Sequence, residues 1–261
     1  MQILTKNTIK EIRALEQRKA RRDQHAWLAE GNRMVGDLLS ADAFPCRRLV
    51  ATEEWWEAHP EFAQVATESF LVTPQEMQRV SLQKTPQDVL AVFDETRNNK
   101  PTAASDAISI LLDEVQDPGN LGTIIRTADW FGIRDIFCAP GTADCFSPKV
   151  AQATMSALAR VQLHYFASRQ ELCDWIRGCQ CPIYGTFLEG NNIYTTQLQT
   201  PAVLVMGNEG RGISPEVEAL VSDKLLIPHF SFDGQHVESL NVSVATAICL
   251  SELKRSSVIK K

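Results

Sequence analysis

The sequence predicts an α/β protein of two units, a small α/β unit followed by a larger one built on a parallel sheet. Three observations carry this. Short apolar runs alternate with helix-like segments through residues 108–255, and that alternation marks a parallel sheet covered on both faces. A polar stretch at 95–106, with one proline and no apolar periodicity, separates the two regions. The length of 261 residues suits one large domain or two modest ones. The domains are read as residues 1–97, a linker at 98–106, and 107–261.

In the first unit, residues 5 to about 23 read as one helix. Ile9, Ile12 and Leu15 recur at helical spacing, and Lys6, Lys10 and Arg13 form a separate basic stripe. A second helix is expected from Glu30 to Leu39, with Met34, Val35, Leu38 and Leu39 facing a core. Strands are expected near Arg48–Ala51, Phe70–Thr73 and Val89–Phe93. Helices near Glu53–Ala58 and Pro74–Val80 lie between them.

In the second unit the expected strands are Ile108–Leu112, Asp135–Ala139, Gln162–Phe166, Ile183–Phe187, Val203–Met206 and Lys224–Ile227. The expected helices are Asn120–Phe131, Pro148–Leu158, Arg169–Gly178, Pro215–Leu220 and Ser239–Arg255. Ser147 and Pro148 form a strong helix start, an N-cap followed by proline at the first helical position.

Composition narrows the function classes. The chain is 44% hydrophobic and 22% charged, which is ordinary for a globular protein with a sizeable core. No apolar run reaches the roughly 20 residues of a bilayer span, and the first residues lack the apolar stretch of a signal peptide. A cytoplasmic location is expected, with no membrane partner. The seven cysteines lack the spacing of a zinc or redox site, and no metal is expected. The net charge of −6 argues against a nucleic-acid binder as a whole, but the charge is uneven. The first fifty residues are net basic, with Lys6, Lys10, Arg13, Arg18, Lys19, Arg21, Arg22, Arg33, Arg47 and Arg48. Such a stripe is either a solvated helix face or a phosphate-binding one.

Three segments of the second unit stand out. In the first, Asp113-Glu114-Val115-Gln116-Asp117-Pro118-Gly119-Asn120 links a buried strand to a helix that carries Arg126. Asn120 is read as a candidate cap of that helix. A helix that starts at the carboxyl end of a parallel strand faces the usual ligand crevice. The second segment, Met206-Gly207-Asn208-Glu209-Gly210-Arg211-Gly212-Ile213-Ser214, follows an apolar strand. Its glycines are spaced three and two apart, the reverse of the dinucleotide fingerprint, and no P-loop lysine follows. Glu209 suits a ligand with cationic or hydroxyl groups better than a bare pyrophosphate. The third segment runs from Ile227-Pro228 through a polar loop to Ser239-Leu240-Asn241-Val242-Ser243. Ser239 is read as the cap of the last helix.

Together, "DPGNLGTIIRTADWFG", "VMGNEGRGIS" and "IP…SLNVSVATAI" resemble, in order and spacing, the three motifs of the SpoU (TrmH-like) RNA ribose 2′-O-methyltransferases of the SPOUT superfamily. The resemblance covers roughly residues 108–255. The first hundred residues are similar, less specifically, to that family's substrate-binding domain. The resemblance implies a knotted (trefoil) parallel-sheet methyltransferase domain preceded by a small α/β RNA-binding domain. It implies S-adenosyl-L-methionine as cofactor, a homodimer, and an RNA substrate, with 23S ribosomal RNA expected. A transfer RNA substrate and a non-catalytic RNA-binding role in ribosome assembly are the alternatives.

Carried over residue by residue, the resemblance makes Arg126 the principal catalytic residue, with Asn120, Glu209, Ser239 and Asn241 shaping its pocket. Met206, Gly207, Gly212, Ile227 and Leu240 would hold the cofactor. Lys6, Lys10, Arg13, Arg18, Lys19, Arg21, Arg22 and Arg33 would contact RNA. The loop at 229–238 is longer than the family's pattern often has, and His229 and His236 are read as loop residues within it.

Overall fold

The computed structural model describes residues 2–95, 107–230 and 237–259. The expected linker, and with it His236, lies outside the described residues. The chain divides into two units: residues 1–96 with 144–160, and residues 97–143 with 161–261.

The first unit opens with α1 (Lys6–Ala14) and α2 (Arg18–Gln24) in place of one long helix. Ile12 and Leu15 reach the core as their spacing predicts, but Gln17 is extended (φ −87°, ψ 133°) and breaks the helix. The carbonyls of Leu15 and Glu16, freed by the break, accept from one Arg21 nitrogen at 2.8 Å each. A buried arginine therefore replaces the missing helical turn.

Next come β1 (Ala26–Glu30), α3 (Asn32–Ser40), β2 (Cys46–Ala51), α4 (Glu53–Ala58), β3 (Ala66–Leu71), α5 (Pro74–Val80) and β4 (Val89–Asp94). Their sheet has the order β1-β4-β2-β3, with only β2 and β3 parallel. Strand β1 escapes the sequence reading. Ala-Trp-Leu-Ala-Glu has no alternation and no β-branched residue, and every one of its residues is buried. Glu30, read as the start of a helix, ends this strand. Gly31 (φ +112°) makes the turn into α3, and a Cβ there would lie 3.0 Å from the Gln87 amide oxygen.

The second unit starts with β5 (Ile108–Leu112), α6 (Pro118–Trp130) and β6 (Asp135–Cys138). Then α7 (Pro148–Thr154) leaves it and packs on β1 of the first unit. Phe146 stacks on Trp27 at 5.0 Å between ring centroids, and Asp144 pairs with Arg21 at 2.8 Å. Chain order alone assigns this segment to the second unit. Ser147 caps α7 as its sequence predicts. The helix stops at Thr154 rather than Leu158, because Met155 and Ser156 turn left-handed before a short 3-10 turn.

The chain returns through β7 (Gln162–Tyr165), α8 (Arg169–Gly178), β8 (Ile183–Asn192), β9 (Ala202–Met206), α9 (Pro215–Glu218), β10 (Asp223–Leu226) and α10 (Val242–Ile259). The six strands form one parallel sheet of order β10-β8-β9-β5-β6-β7. Strand β8 outruns its expected end because Asn191 and Asn192 pair with Leu225 and Leu226 after a register shift. From β5 the chain proceeds toward β6, whereas from β9 it proceeds toward β10. Diverging exits from adjacent strands open a crevice at their carboxyl ends. Strands β5 and β9 end together there, with Leu112 opposite Met206.

Candidate active site

All three singled-out segments meet at that crevice. The β5 exit is held beside β9 by Asp113, whose amide donates to the Met206 carbonyl at 2.8 Å. Asp117, not Asn120, is the N-cap of α6, and its carboxylate accepts from the Asn120 amide at 2.8 Å. Because Asp117 takes the cap, the Asn120 side chain is free to reach outward. Its Nδ2 donates to Glu209 Oε1 at 3.0 Å, and its Oδ1 accepts from Asn241 Nδ2 at 2.9 Å. One asparagine thus joins the first, second and third segments.

Glu209 also accepts from the amides of Gln116 (3.2 Å) and Asp117 (3.1 Å). Partial burial works against its charged form. The donors outweigh that effect and hold its carboxyl below the ordinary range. The loop therefore carries a fixed negative charge at the mouth of the crevice.

At the third segment Asn241, not Ser239, caps the last helix. Its Oδ1 accepts from the amides of Ser243 (2.9 Å) and Val244 (3.4 Å) and from the Ser243 hydroxyl (2.6 Å). Asn241 commits its oxygen to the cap and its nitrogen to Asn120, so its orientation is determined. Ser239 and Leu240 precede it, both exposed.

Arg126 lies on α6 and is exposed. Among the described residues none bonds its guanidinium, which leaves its donor fork available to an anionic ligand. No bond ties it to the Asn120–Glu209–Asn241 chain.

The expected cofactor residues fall at the exit of β9, at the exit of β10 and just before α10. Met206 is buried at the end of β9. Gly207 follows it, and a Cβ there would lie 2.3 Å from the Gly212 carbonyl carbon and 2.4 Å from the Ile213 nitrogen, so no side chain fits. Gly212 sits at φ +71°. Asn208 and Gly212 bond each other's backbone at 2.9 Å in both directions, pinching the loop into a tight ring. Ile227 is half-buried beyond β10, and Leu240 is 47% exposed. The partly open Ile227 and Leu240, backbone groups brought close by glycine and a fixed carboxylate form a set that fits a purine nucleoside bearing cationic groups.

The sequence reading missed a second cluster behind this ring. Asp113, 1% exposed, accepts from the Ser214 amide and hydroxyl at 2.7 Å each, and from Arg169. Glu114 takes Arg169 on one oxygen and Arg211 on the other. Asn208 Nδ2 donates to the Glu114 carbonyl at 2.8 Å. Arg169 opens α8, remote in sequence from all three segments, and only the sheet order brings it here.

In the first unit Lys6, Lys10, Arg13, Arg18, Lys19, Arg22 and Arg33 are exposed. Arg13 also donates to the Arg79 carbonyl at 3.2 Å and to that of Ser81. Arg33 lies 3.8 Å from Asp37. Arg21, expected on the same basic surface, is 3% exposed and bound to Asp144, so it serves the core instead.

The sequence profile of the SpoU rRNA Methylase family matches residues 107–251, and that of the MRM3-like substrate binding domain matches residues 6–91. The chain is 30% identical to the 23S rRNA (guanosine(2553)-2′-O)-methyltransferase RlmP of Bacillus subtilis, over 94% of this chain and 95% of that one. Among solved structures, a TrmH-family RNA methyltransferase described as putative, from Porphyromonas gingivalis, is 44% identical, with TM-score 0.86 over 97% of this chain and 98% of that one. An AdoMet-bound rRNA methyltransferase from Sinorhizobium meliloti is 29% identical, with TM-score 0.85 over 97% and 95%. The chain belongs to the SpoU rRNA methylase family.

Proposed function

We propose that this protein transfers a methyl group from S-adenosylmethionine to the 2′-hydroxyl of a ribose in RNA, with 23S ribosomal RNA as the substrate. The observation that carries the reading is the hydrogen-bonded chain Glu209–Asn120–Asn241, which locks three separated motifs around one crevice. The full-length likeness to a ribosomal RNA methyltransferase of Bacillus subtilis supports the substrate. The AdoMet-bound neighbour supports the cofactor.

S-adenosylmethionine supplies an already activated methyl group when bound. The protein's own task is then to position the ribose and manage its proton. Met206, Gly207, Gly212, Ile227 and Leu240 hold the cofactor. Arg126 binds the phosphate next to the target ribose and stabilises the developing alkoxide, a role for which a permanent cation is suited. It is a poor base, since arginine loses its proton only above pH of about 12, so the 2′-hydroxyl proton passes to a phosphate oxygen or to water as the methyl moves from sulfur to oxygen. Asn120, Glu209, Ser239 and Asn241 shape the pocket. The exposed Lys6, Lys10, Arg13, Arg18, Lys19, Arg22 and Arg33 draw in the RNA backbone. Residues 1–97, completed by 144–160, serve as the RNA-binding domain, and the remainder of 107–261 as the methyltransferase domain. The catalytic part is knotted, and the protein works as a homodimer in the cytoplasm.

The test is incubation with labelled S-adenosylmethionine and, separately, total ribosomal and total transfer RNA from cells lacking the protein. Label in ribosomal RNA, mapped to one ribose, is the expected result. Label in transfer RNA alone would overturn the substrate while keeping the chemistry. No binding of S-adenosylmethionine would leave a non-catalytic RNA-binding role.

A further inference from the structure

We propose that Arg169, outside all three motifs, is a positioning residue for methyl transfer. It sets the Gly207–Ser214 loop in the shape that receives S-adenosylmethionine, and the proposal rests on the function given above.

Local physics gives Arg169 no reason to be where it is. It is the first residue of α8, at the positive end of the helix dipole, where a cation is disfavoured. Ser168 already caps that helix by accepting from the Glu171 amide. The guanidinium turns away from its own helix and spans two carboxylates, one nitrogen on Asp113 and the other on Glu114. The nitrogen on Asp113 also reaches the Ser214 hydroxyl at 3.2 Å. The two carboxylates strengthen its protonated form against the cost of its partial burial.

Those contacts control both ends of the glycine-rich loop. Asp113 holds the far end through Ser214. Glu114 holds the near end, where its carbonyl takes Asn208 and its carboxylate takes Arg211. Asn208 in turn accepts from the Gly210 and Arg211 amides at 3.0 and 3.1 Å. Glu114 is left-handed (φ +63°), a conformation that costs a non-glycine residue energy and persists only where surroundings enforce it. Arg169 is one of the two cations that enforce it. Without Arg169, Asp113 is a buried carboxylate short of its counter-charge, and the Glu114 turn relaxes. The ring between Asn208 and Gly212 then loses its registry with the β5 exit. A planar fork is required, because one point charge cannot satisfy two carboxylates in fixed directions.

The experiment compares Arg169→Met and Arg169→Lys with the unsubstituted full chain. It measures S-adenosylmethionine affinity by calorimetry, the KM for each substrate, kcat, and thermal unfolding. The expected result is a roughly tenfold weaker affinity and a matching rise in KM for S-adenosylmethionine in both variants, of the order seen when supporting residues behind a site are removed. The KM for RNA stays within about twofold. A residue with only a stability role would lower kcat through lost folded protein and leave both KM values alone, which would overturn the proposal. Should Arg169→Met fail to fold, Arg169→Lys, which keeps the charge, decides by the same criterion. Unchanged affinity in a folded variant overturns the proposal alone. No S-adenosylmethionine binding by the unsubstituted chain overturns the functional reading and this proposal with it.

Discussion

Asn120 is the residue on which the site turns. Its side chain bonds one group from each of the other two motifs, and it can do so because Asp117 caps the helix in its place. An amide is needed, since the same side chain must donate to a carboxylate and accept from an amide. Asn120→Asp places a second negative charge against Glu209. It is expected to reduce methyl transfer at least about a hundredfold, comparable to losing one transition-state donor, which single-turnover assays would reveal. Arg126 acts differently, since nothing in the described fold depends on it. Arg126→Ala is expected to lose about a hundred- to a thousandfold in kcat with an unchanged thermal midpoint. Retained activity in that variant would remove Arg126 from the chemistry.

Glu209 adds a pH dependence. Its carboxyl titrates below the ordinary range in the folded protein. A lowered folded value means that its contribution to stability is present above the unfolded value and lost as pH falls through the folded one. Glu209→Gln should therefore be less stable than the native chain at neutral pH, with the difference shrinking in acid. Denaturant titrations at pH 7 and pH 4 would show this; a constant difference would contradict it.

At the scale of elements, the break between α1 and α2 is instructive. The periodicity of Ile9, Ile12 and Leu15 locates α1 correctly, but it carries no information about the carbonyls at its end. Arg21 supplies that answer by turning inward to Leu15, Glu16 and Asp144. Both partners of the ion pair are nearly buried, with side chains 4% and 8% exposed. Arg21→Ala takes the arginine from a nearly buried ion pair, and removing one partner of such a pair costs about 3–5 kcal/mol. Equilibrium unfolding should show a loss of that size, while an exposed neighbour such as Arg22→Ala should change little. The glycine-rich loop has the opposite character, since its constraint is steric. A methyl group at Gly207 would collide with backbone rather than a flexible side chain. Gly207→Ala is expected to cost about 1–3 kcal/mol and to abolish S-adenosylmethionine binding.

At the scale of the molecule, a segment of the second sequence region completes the first unit. Trp27 is fully buried between Phe93, Phe44 and Phe146, and Phe146 arrives from beyond β6. A fragment of residues 1–96 lacks Phe146, Asp144 and α7. It is expected to leave Trp27 partly exposed, with red-shifted fluorescence, and to unfold at lower denaturant than the same unit within the full chain. A fragment as stable as the unit in the whole protein would count against this.

The strands and helices of the second unit, the glycine-rich loop and the three motifs could all be read along the chain. Their signals are local: apolar runs, capping residues, and glycines next to polar side chains. The same locality explains the failures. Strand β1 is built from Ala, Trp, Leu, Ala and Glu, residues whose pattern favours no strand, and only pairing with β4 makes it one. Asp117 rather than Asn120, and Asn241 rather than Ser239, became the caps because each helix begins where the loop geometry allows. Arg21 could be counted as a surface charge until its partner, Asp144, arrived from a distant part of the chain. Arg169 joins the site because the sheet order brings the start of α8 beside the exits of β5 and β9. Composition and periodicity report what each residue prefers among its neighbours in sequence. Which buried carboxylate meets which arginine depends on contacts between residues far apart in the chain, and those form only when the chain folds.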